Sequence, residues 1–177
     1  MTRCVALLRG INVGKAKRVA MADLRALVEG LGYRDVRTVL NSGNVVFTAP
    51  GATKNAASRI EGAIASTLKL ESRVFVLTAD EVAATLAKNP LGKSAADPSR
   101  TFVTILADAA CRKRLDPLTQ EDWTPERIVL GAHAAYMWCP AGMSGGKLAE
   151  ALSRALRDGG TTRNWATMSR LHALTRA

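Results

Sequence analysis

The sequence of 177 residues is poor in the side chains that bind metal ions. It contains two histidines and three cysteines, and the cysteines lie far apart at positions 4, 111 and 139. No C-x-x-C pair is present, and no histidine stands near a cysteine at the spacing of a finger-type metal site. We therefore expect no metal and no cofactor. Cys4 and Cys139 lie in apolar, strand-like runs, where buried free thiols are the expected state.

Long hydrophobic runs are also missing. No apolar run exceeds seven residues, whereas a helix needs about 20 to span a bilayer. The chain begins Met1-Thr2-Arg3 and passes directly into a strand-like run, without the pattern of a secretory signal. These features predict a cytoplasmic protein with no membrane partner.

Acidic and aromatic residues are scarce relative to basic ones. The chain has 25 Lys and Arg against 15 Asp and Glu, a net charge of +10, and 5% aromatic residues. The excess of basic residues is concentrated at the two ends of the chain. Residues 1–50 contain eight basic and three acidic residues, and residues 151–177 contain five basic residues and one acidic residue. This charge favours an anionic small-molecule partner and leaves nucleic acid open. A solvated basic surface that only maintains solubility is the alternative, and the oligomeric state is left open.

The hydrophobic pattern predicts two similar series of elements. In the first half we expect a strand at 5–8, a helix at 21–31, strands at 36–40 and 45–48, a helix at 54–69, a strand at 73–77 and a helix from Thr78 to about Lys88. In the second half we expect a strand at 101–106, a helix at 109–118, strands at 127–130 and 135–139, a helix at 147–157 and a last helix at 164–175.

The first series has the β-α-β-β-α-β order of a ferredoxin-like unit. The second repeats it with the final strand missing or very short. We therefore predict an α+β fold of two ferredoxin-like halves, residues 1–90 and 100–177, the second with a C-terminal helix. Residues 89–100 have the composition of a loop.

Three polar signatures stand where strands should end and turns begin: Arg9–Gly14, Asn41–Asn44 and Thr161–Trp165. Arginine offers a planar fork for phosphate or carboxylate, glycine lets the backbone approach a ligand, and asparagine can donate and accept hydrogen bonds. Thr161 or Thr162 would cap the last helix, and Trp165 would pack in the core. The predicted ligand-binding residues are Arg9, Asn12, Ser42, Asn44, Arg163 and Asn164.

Structural roles compete with this interpretation. Arg9 could pair with an acidic residue, Asn12 could cap a helix or its own turn, and the segment 41–44 could be an ordinary hairpin turn. The glycine-rich stretch Gly142–Lys147 lies between a strand and a helix, as phosphate loops do, but it fails the Walker pattern. The sequence shows no catalytic constellation. An enzyme acting on a nucleotide-like or phosphorylated substrate and a protein–protein interaction domain are the alternative functions.

The ordered combination of several short motifs resembles one bacterial family. The motifs are Leu7–Gly14, Met21–Leu24, Leu31–Tyr33, Val36–Thr38, Ser42–Phe47 and Arg163–Trp165. They are similar to the family described as "domain of unknown function 1697", over residues 3 to about 175. The resemblance implies two ferredoxin-like α/β halves and supplies no reaction.

Overall fold

The chain folds into two compact units. The computed structural model describes residues 1–15, 17–87, 89–92 and 96–177. Unit 1 consists of Met1–Ala83 together with Leu171–Ala177, and unit 2 consists of Ala84–Arg170. Each unit contains one four-stranded antiparallel sheet with helices, so the fold is α+β with a C-terminal helix, as expected.

The elements of unit 1 follow the predicted order. They are β1 (Thr2–Leu8), α1 (Met21–Gly30), β2 (Arg34–Val39), β3 (Asn44–Ala49), α2 (Ala56–Leu68), β4 (Val74–Thr78) and α3 (Ala79–Leu86), the last of which extends into unit 2. The sheet order is β2-β3-β1-β4, and all three strand pairings are antiparallel. The predicted end of α3 at Lys88 lies outside the described residues.

One face of this sheet packs against α1 and α2. Alternate residues of β1, namely Cys4, Ala6 and Leu8, join one buried apolar cluster with Leu24 of α1 and Ile60 of α2. The period of two along the strand and the spacing of three to four along the helices explain why the sequence pattern located these elements. The arrangement holds the loops that leave β1 and β2 at a defined end of the sheet.

Unit 2 has the same strand order. Its elements are β5 (Thr101–Leu106), α4 (Ala109–Arg114), β6 (Arg127–Leu130), β7 (Ala134–Trp138), α5 (Lys147–Leu156), β8 (Gly160–Asn164) and α6 (Trp165–Thr175), the last of which extends into unit 1. The sheet order is β6-β7-β5-β8, again fully antiparallel.

The final strand of the second series, predicted to be missing or very short, is present with five residues. Gly160–Asn164 forms β8, paired with β5 from Phe102↔Asn164 to Leu106↔Gly160. Gly160 is required there by packing, since a Cβ would lie 2.8 Å from Leu156 Cδ1 and 3.1 Å from Thr104 Cγ2. Paired glycines after a helix also resemble a helix stop, so the sequence pattern gave no clear strand here.

The predicted helix at 109–118 is also shorter than expected. α4 ends at Arg114, and Asp116–Gln120 continues as a 3₁₀ turn. Pro117 explains the change, because proline lacks the N–H that an α-helix needs and disfavours α geometry in the residue before it.

Candidate functional site

The first two polar signatures meet at one end of the sheet of unit 1. Asn12, in the loop between β1 and α1, donates from Nδ2 to the main-chain oxygen of Asn41 at 2.7 Å. The main-chain nitrogen of Leu8 donates to the oxygen of Gly43 at 2.8 Å. The loop after β1 and the turn between β2 and β3 therefore form one local structure.

Asn12 acts as the internal brace of its loop. Nδ2 also donates to the oxygen of Val19 at 3.0 Å, and Oδ1 accepts from the nitrogen of Val19 at 2.9 Å. Its φ of 53° is in the left-handed region, which asparagine tolerates better than most residues. The main-chain nitrogen donates to the oxygen of Lys17 at 3.0 Å. These contacts give Asn12 a positioning role.

The β2–β3 turn is stabilised by its own polar side chains. Asn44 is fully buried and donates from Nδ2 to the oxygen of Val39 at 2.8 Å and to Ser42 Oγ at 2.9 Å. Gly43 has a φ of 76°, and a Cβ there would lie 2.7 Å from Ile11 Cδ1. Hairpin chemistry and close packing thus account for glycine and asparagine at these positions.

Arg9 is fixed at the exit of β1 by its main chain. Its nitrogen donates to the oxygen of Arg73 at 2.8 Å, and its oxygen accepts from Ser72 Oγ at 2.8 Å. Arg9 is half-buried, while Arg73 is exposed. The start of β4 therefore lies beside the loop that follows β1.

Several exposed basic side chains surround this end of the sheet. Lys15, Lys17 and Arg18 are exposed in the loop after β1. Lys17 donates from Nζ to the main-chain oxygen of Glu71 at 2.7 Å, which ties the loop to the segment before β4. We call the surface formed by residues 9–15, 17–20, 40–44 and 69–73 the basic tip.

The third signature lies in unit 2, and its threonines do not have the capping role that was predicted. Thr161 and Thr162 belong to β8, so they do not cap the last helix. Asn164 does so instead, because its Oδ1 accepts from the nitrogen of Thr167 at 2.8 Å. Trp165 is half-buried, and its ring centroid lies 6.5 Å from that of Tyr136.

Arg163 projects from β8 in register with Val103 of β5. Its Nη1 donates to Thr161 Oγ1 at 3.0 Å and to the oxygen of Thr162 at 2.9 Å. Removal from water lowers the pKa of Arg163 to about 10. The guanidinium remains charged at neutral pH, and its desolvation makes it a strong electrostatic group.

Unit 2 also contains a cleft that the sequence pointed to only in part. Its volume is about 470 Å³, and it is lined by Asp122, Trp123, Thr124, Pro125, Glu126, Pro140, Ala141, Gly142, Ser144, Gly145, Gly146 and Lys147. The glycine-rich stretch forms one wall, as its position between β7 and α5 suggested. The other wall, residues 122–126, was missed because it carries no motif.

Glu126 occupies the anion position at the start of α5. Its Oε2 accepts from the nitrogen of Leu148 at 3.1 Å, and Oε1 lies 2.7 Å from the position a Cβ would take on Gly146. A carboxylate at a helix N-terminus is stabilised by the helix dipole. The protein thus supplies its own anion where a phosphate would bind in a phosphate loop.

The carboxylates of the cleft are engaged in local structure. Asp122 Oδ1 accepts from the nitrogen of Thr124 at 2.9 Å and from its Oγ1 at 2.6 Å. These hydrogen bonds lower the pKa of Asp122. Burial, with the nearby Glu126 charge, raises the pKa of the Cys139 thiol to about 12. The arrangement provides an ionised carboxylate and an unreactive thiol.

No group of three or more His, Cys, Asp and Glu residues within the described ranges could hold a metal ion. No helix of the described chain is both long and apolar enough to cross a membrane.

Comparison with known proteins confirms the family resemblance. The family model "Protein of unknown function (DUF1697)" matches residues 1–136, which leaves the Arg163–Trp165 motif outside the matched region. Among solved structures, the conserved bacterial protein SP0830 from Streptococcus pneumoniae is similar over 98% of each chain, with a TM-score of 0.81 and 23% identity. A search of curated proteins found no match. The loops of the basic tip lie inside the matched region, and the chain belongs to the DUF1697 family.

Proposed function

We propose that this protein binds an anionic, phosphate-bearing small molecule, such as a nucleotide, at the basic tip of unit 1. The observation that carries the proposal is the 2.7 Å hydrogen bond from Asn12 Nδ2 to the oxygen of Asn41. It fixes the loop after β1 beside the β2–β3 turn. Lys15, Lys17 and Arg18 are thereby displayed on a structured loop. Ordered cations bind phosphate with a smaller loss of entropy than mobile ones.

The backbone of the loop supports the same ligand chemistry. Gly10, Asn12 and Gly14 have φ values of 67°, 53° and 60°, while the residues between them have no positive φ. Alternation of left-handed and ordinary conformations is how backbone nests direct N–H groups toward an anion. The N–H of Asn12 donates to the oxygen of Lys17, so only the other N–H groups of this segment can take part. We infer that the backbone and the basic side chains act on the same ligand.

The predicted site residues divide into two roles within this proposal. Arg9 contacts the ligand, and Asn12, Ser42 and Asn44 position the loop and the turn. Arg163 and Asn164 belong to unit 2 and not to the basic tip. There Arg163 offers a desolvated guanidinium to a separate anion, and Asn164 caps the helix that follows it. Charge-assisted hydrogen bonds to an anion are about twice as strong as neutral ones.

Two broader features belong to the proposal. The strand orders β2-β3-β1-β4 and β6-β7-β5-β8 support two ferredoxin-like halves, 1–90 and 100–177. Cys4, Cys111 and Cys139 are all free and buried, which suits the reducing cytoplasm that we propose as the location.

Calorimetric titration with pyrophosphate and with a nucleoside triphosphate, at low ionic strength, tests the proposal. Lys15→Ala/Arg18→Ala should weaken binding about tenfold or more, since each cation contributes about 1 kcal/mol near a phosphate. Lys54→Ala/Lys113→Ala removes the same charge from exposed positions outside the tip and should change affinity less than twofold. Equal losses in the two variants, or no binding by the wild type, would reject the proposal.

Arg9→Ala separates a ligand contact from a structural role. We expect weaker pyrophosphate binding with a melting temperature close to that of the wild type. A large fall in melting temperature with unchanged affinity would assign Arg9 to the fold alone.

The cleft of unit 2 supports a second candidate, an enzyme that acts on a phosphorylated or nucleotide-like substrate. Its volume of about 470 Å³ is within the range of small-molecule sites. Trp123, half-buried in its wall, offers a fluorescent reporter. Quenching by a metabolite that Trp123→Phe abolishes would support this function, and a cleft that binds none of a phosphorylated-metabolite panel would remove it.

A further inference from the structure

The basic tip also carries two exposed aliphatic side chains. Val13 is 70% exposed and Leu40 is 50% exposed, and with Met1 they are the exposed large hydrophobic residues of the described chain. Val13 follows Asn12 and Leu40 precedes Asn41, the two residues joined by the 2.7 Å hydrogen bond. The two aliphatic side chains therefore belong to neighbouring positions on one surface.

Leu40 is costly for the fold in two ways. Its φ of 57° lies in the left-handed region, which Asn or Gly adopts with much less strain. Half of the side chain is exposed to water, so its burial contributes little. Local stability therefore does not explain a leucine at this position. Contact of the side chain with an apolar partner would explain it.

Exposed basic residues share the basic tip with the aliphatic pair. Lys15, Lys17 and Arg18 are exposed on the same loop as Val13, and Arg73 is exposed in the adjoining segment. Basic side chains around aliphatic ones match a partner that presents anionic groups at its surface and hydrocarbon just beneath.

We propose that the basic tip docks onto the surface of an anionic lipid bilayer. The cations contact headgroup phosphates, and Val13 and Leu40 enter the boundary between headgroups and acyl chains. The inference rests on the proposed function, because the same cations bind phosphate in both. The expectation of no membrane partner was based on the lack of a spanning segment, and peripheral docking needs none.

The composition of the tip favours a bilayer over nucleic acid. Its residues, 9–15, 17–20, 40–44 and 69–73, include no aromatic residue. Recognition of single-stranded nucleic acid relies on bases stacked against aromatic rings. Aliphatic side chains instead gain free energy when hydrocarbon covers them, because their apolar surface is removed from water.

Co-sedimentation with vesicles of phosphatidylcholine alone, and with about 30% phosphatidylglycerol, tests the proposal. The wild type should bind the anionic vesicles at least tenfold more tightly than the neutral ones, because surface potential adds roughly fivefold per basic side chain. Val13→Ser/Leu40→Asn keeps every charge and should weaken vesicle binding about tenfold or more. The same variant should keep wild-type affinity for pyrophosphate, which isolates the aliphatic contribution.

Other results would overturn bilayer docking, and one control measurement excludes unfolding. Pyrophosphate binding without vesicle binding by the wild type would overturn bilayer docking and leave the proposed function standing, whereas loss of both would remove the two together. Vesicle binding that Val13→Ser/Leu40→Asn leaves unchanged would show a purely electrostatic contact and overturn the inference. Tighter binding to a single-stranded oligonucleotide than to vesicles would assign the tip to nucleic acid. A melting temperature of Leu40→Asn at or above the wild type excludes unfolding as the cause of lost binding.

Discussion

The side chain of Asn12 donates from Nδ2 to the main-chain oxygen of Asn41 at 2.7 Å, across 29 positions of the sequence. Two segments that look like separate turns are therefore one structure. Asn12 also closes its own loop through two hydrogen bonds to Val19. The stability of the basic tip should depend on this one amide.

Asn12→Ala should lower the free energy of unfolding by about 2–4 kcal/mol, since it removes three hydrogen bonds and leaves alanine at positive φ. Asn12→Gly removes the same hydrogen bonds, but glycine adopts a positive φ without strain. Its loss of unfolding free energy should therefore be about 1 kcal/mol smaller. Urea denaturation of the three proteins measures both differences. Wild-type stability of Asn12→Ala would show that the amide does not hold the loop.

Gly43 and Gly14 form a matched pair for steric tests. Both have positive φ, but a Cβ on Gly43 would lie 2.7 Å from Ile11 Cδ1 and 2.8 Å from Leu8 Cβ, whereas Gly14 has nothing within 4 Å. Gly43→Ala should cost about 2–4 kcal/mol through strain and repacking, and Gly14→Ala about 1 kcal/mol through strain alone. Thermal unfolding compares them, and equal costs would contradict the packing argument.

Glu126 should stabilise α5 through its carboxylate. Glu126→Ala removes the acceptor for the nitrogen of Leu148 and the charge at the helix start, at a cost of about 1–2 kcal/mol. Glu121→Ala, an exposed carboxylate outside any helix, is the control and should be nearly neutral. Hydrogen exchange of the first turn of α5 should accelerate in Glu126→Ala only.

Two buried thiols predict a loss of stability in alkali. Burial raises the pKa of Cys4 to about 11 and of Cys139 to about 12, from an ordinary value of 9.0. Above pH 9 the unfolded chain releases thiol protons that the folded protein keeps, so the free energy of unfolding falls as pH rises. The fall is up to roughly 1.4 kcal/mol per thiol per pH unit.

Cys4→Ala/Cys139→Ala should therefore lose stability less steeply than the wild type between pH 9 and 11. Urea denaturation at pH 9, 10 and 11 gives the slopes for the two proteins. Parallel slopes would mean that both thiols ionise equally in the folded and unfolded chains.

The sequence predicted the elements whose hydrophobic period was clear. The strand at 101–106 and the start of the helix at 147 agree with the structure, because apolar residues there recur at the period of the element. β8 was missed because Gly160-Thr161-Thr162-Arg163-Asn164 has no apolar alternation. Its threonines favour a strand, but the preceding glycines resemble a helix stop.

The sequence singled out the two segments that form the basic tip, but not how they are held together. Polar residues after β1 and between β2 and β3 marked them, since turn chemistry alone rarely needs both Arg and Asn, and the structure joins the two segments. The sequence pattern could not show that the side-chain amide of Asn12 donates hydrogen bonds to Val19 and Asn41, because these partners depend on tertiary structure. Residues 122–126 had no periodic or motif signal.

The division of the chain has a consequence for its synthesis. Ala84–Arg170 stands in chain order as an insertion within unit 1, whose last segment is Leu171–Ala177. Leu171 is fully buried, so unit 1 reaches its final packing only after residues 171–177 have left the ribosome. Nascent chains that end before Leu171 would expose apolar surface, and translation that stops there should yield an aggregation-prone or protease-sensitive product.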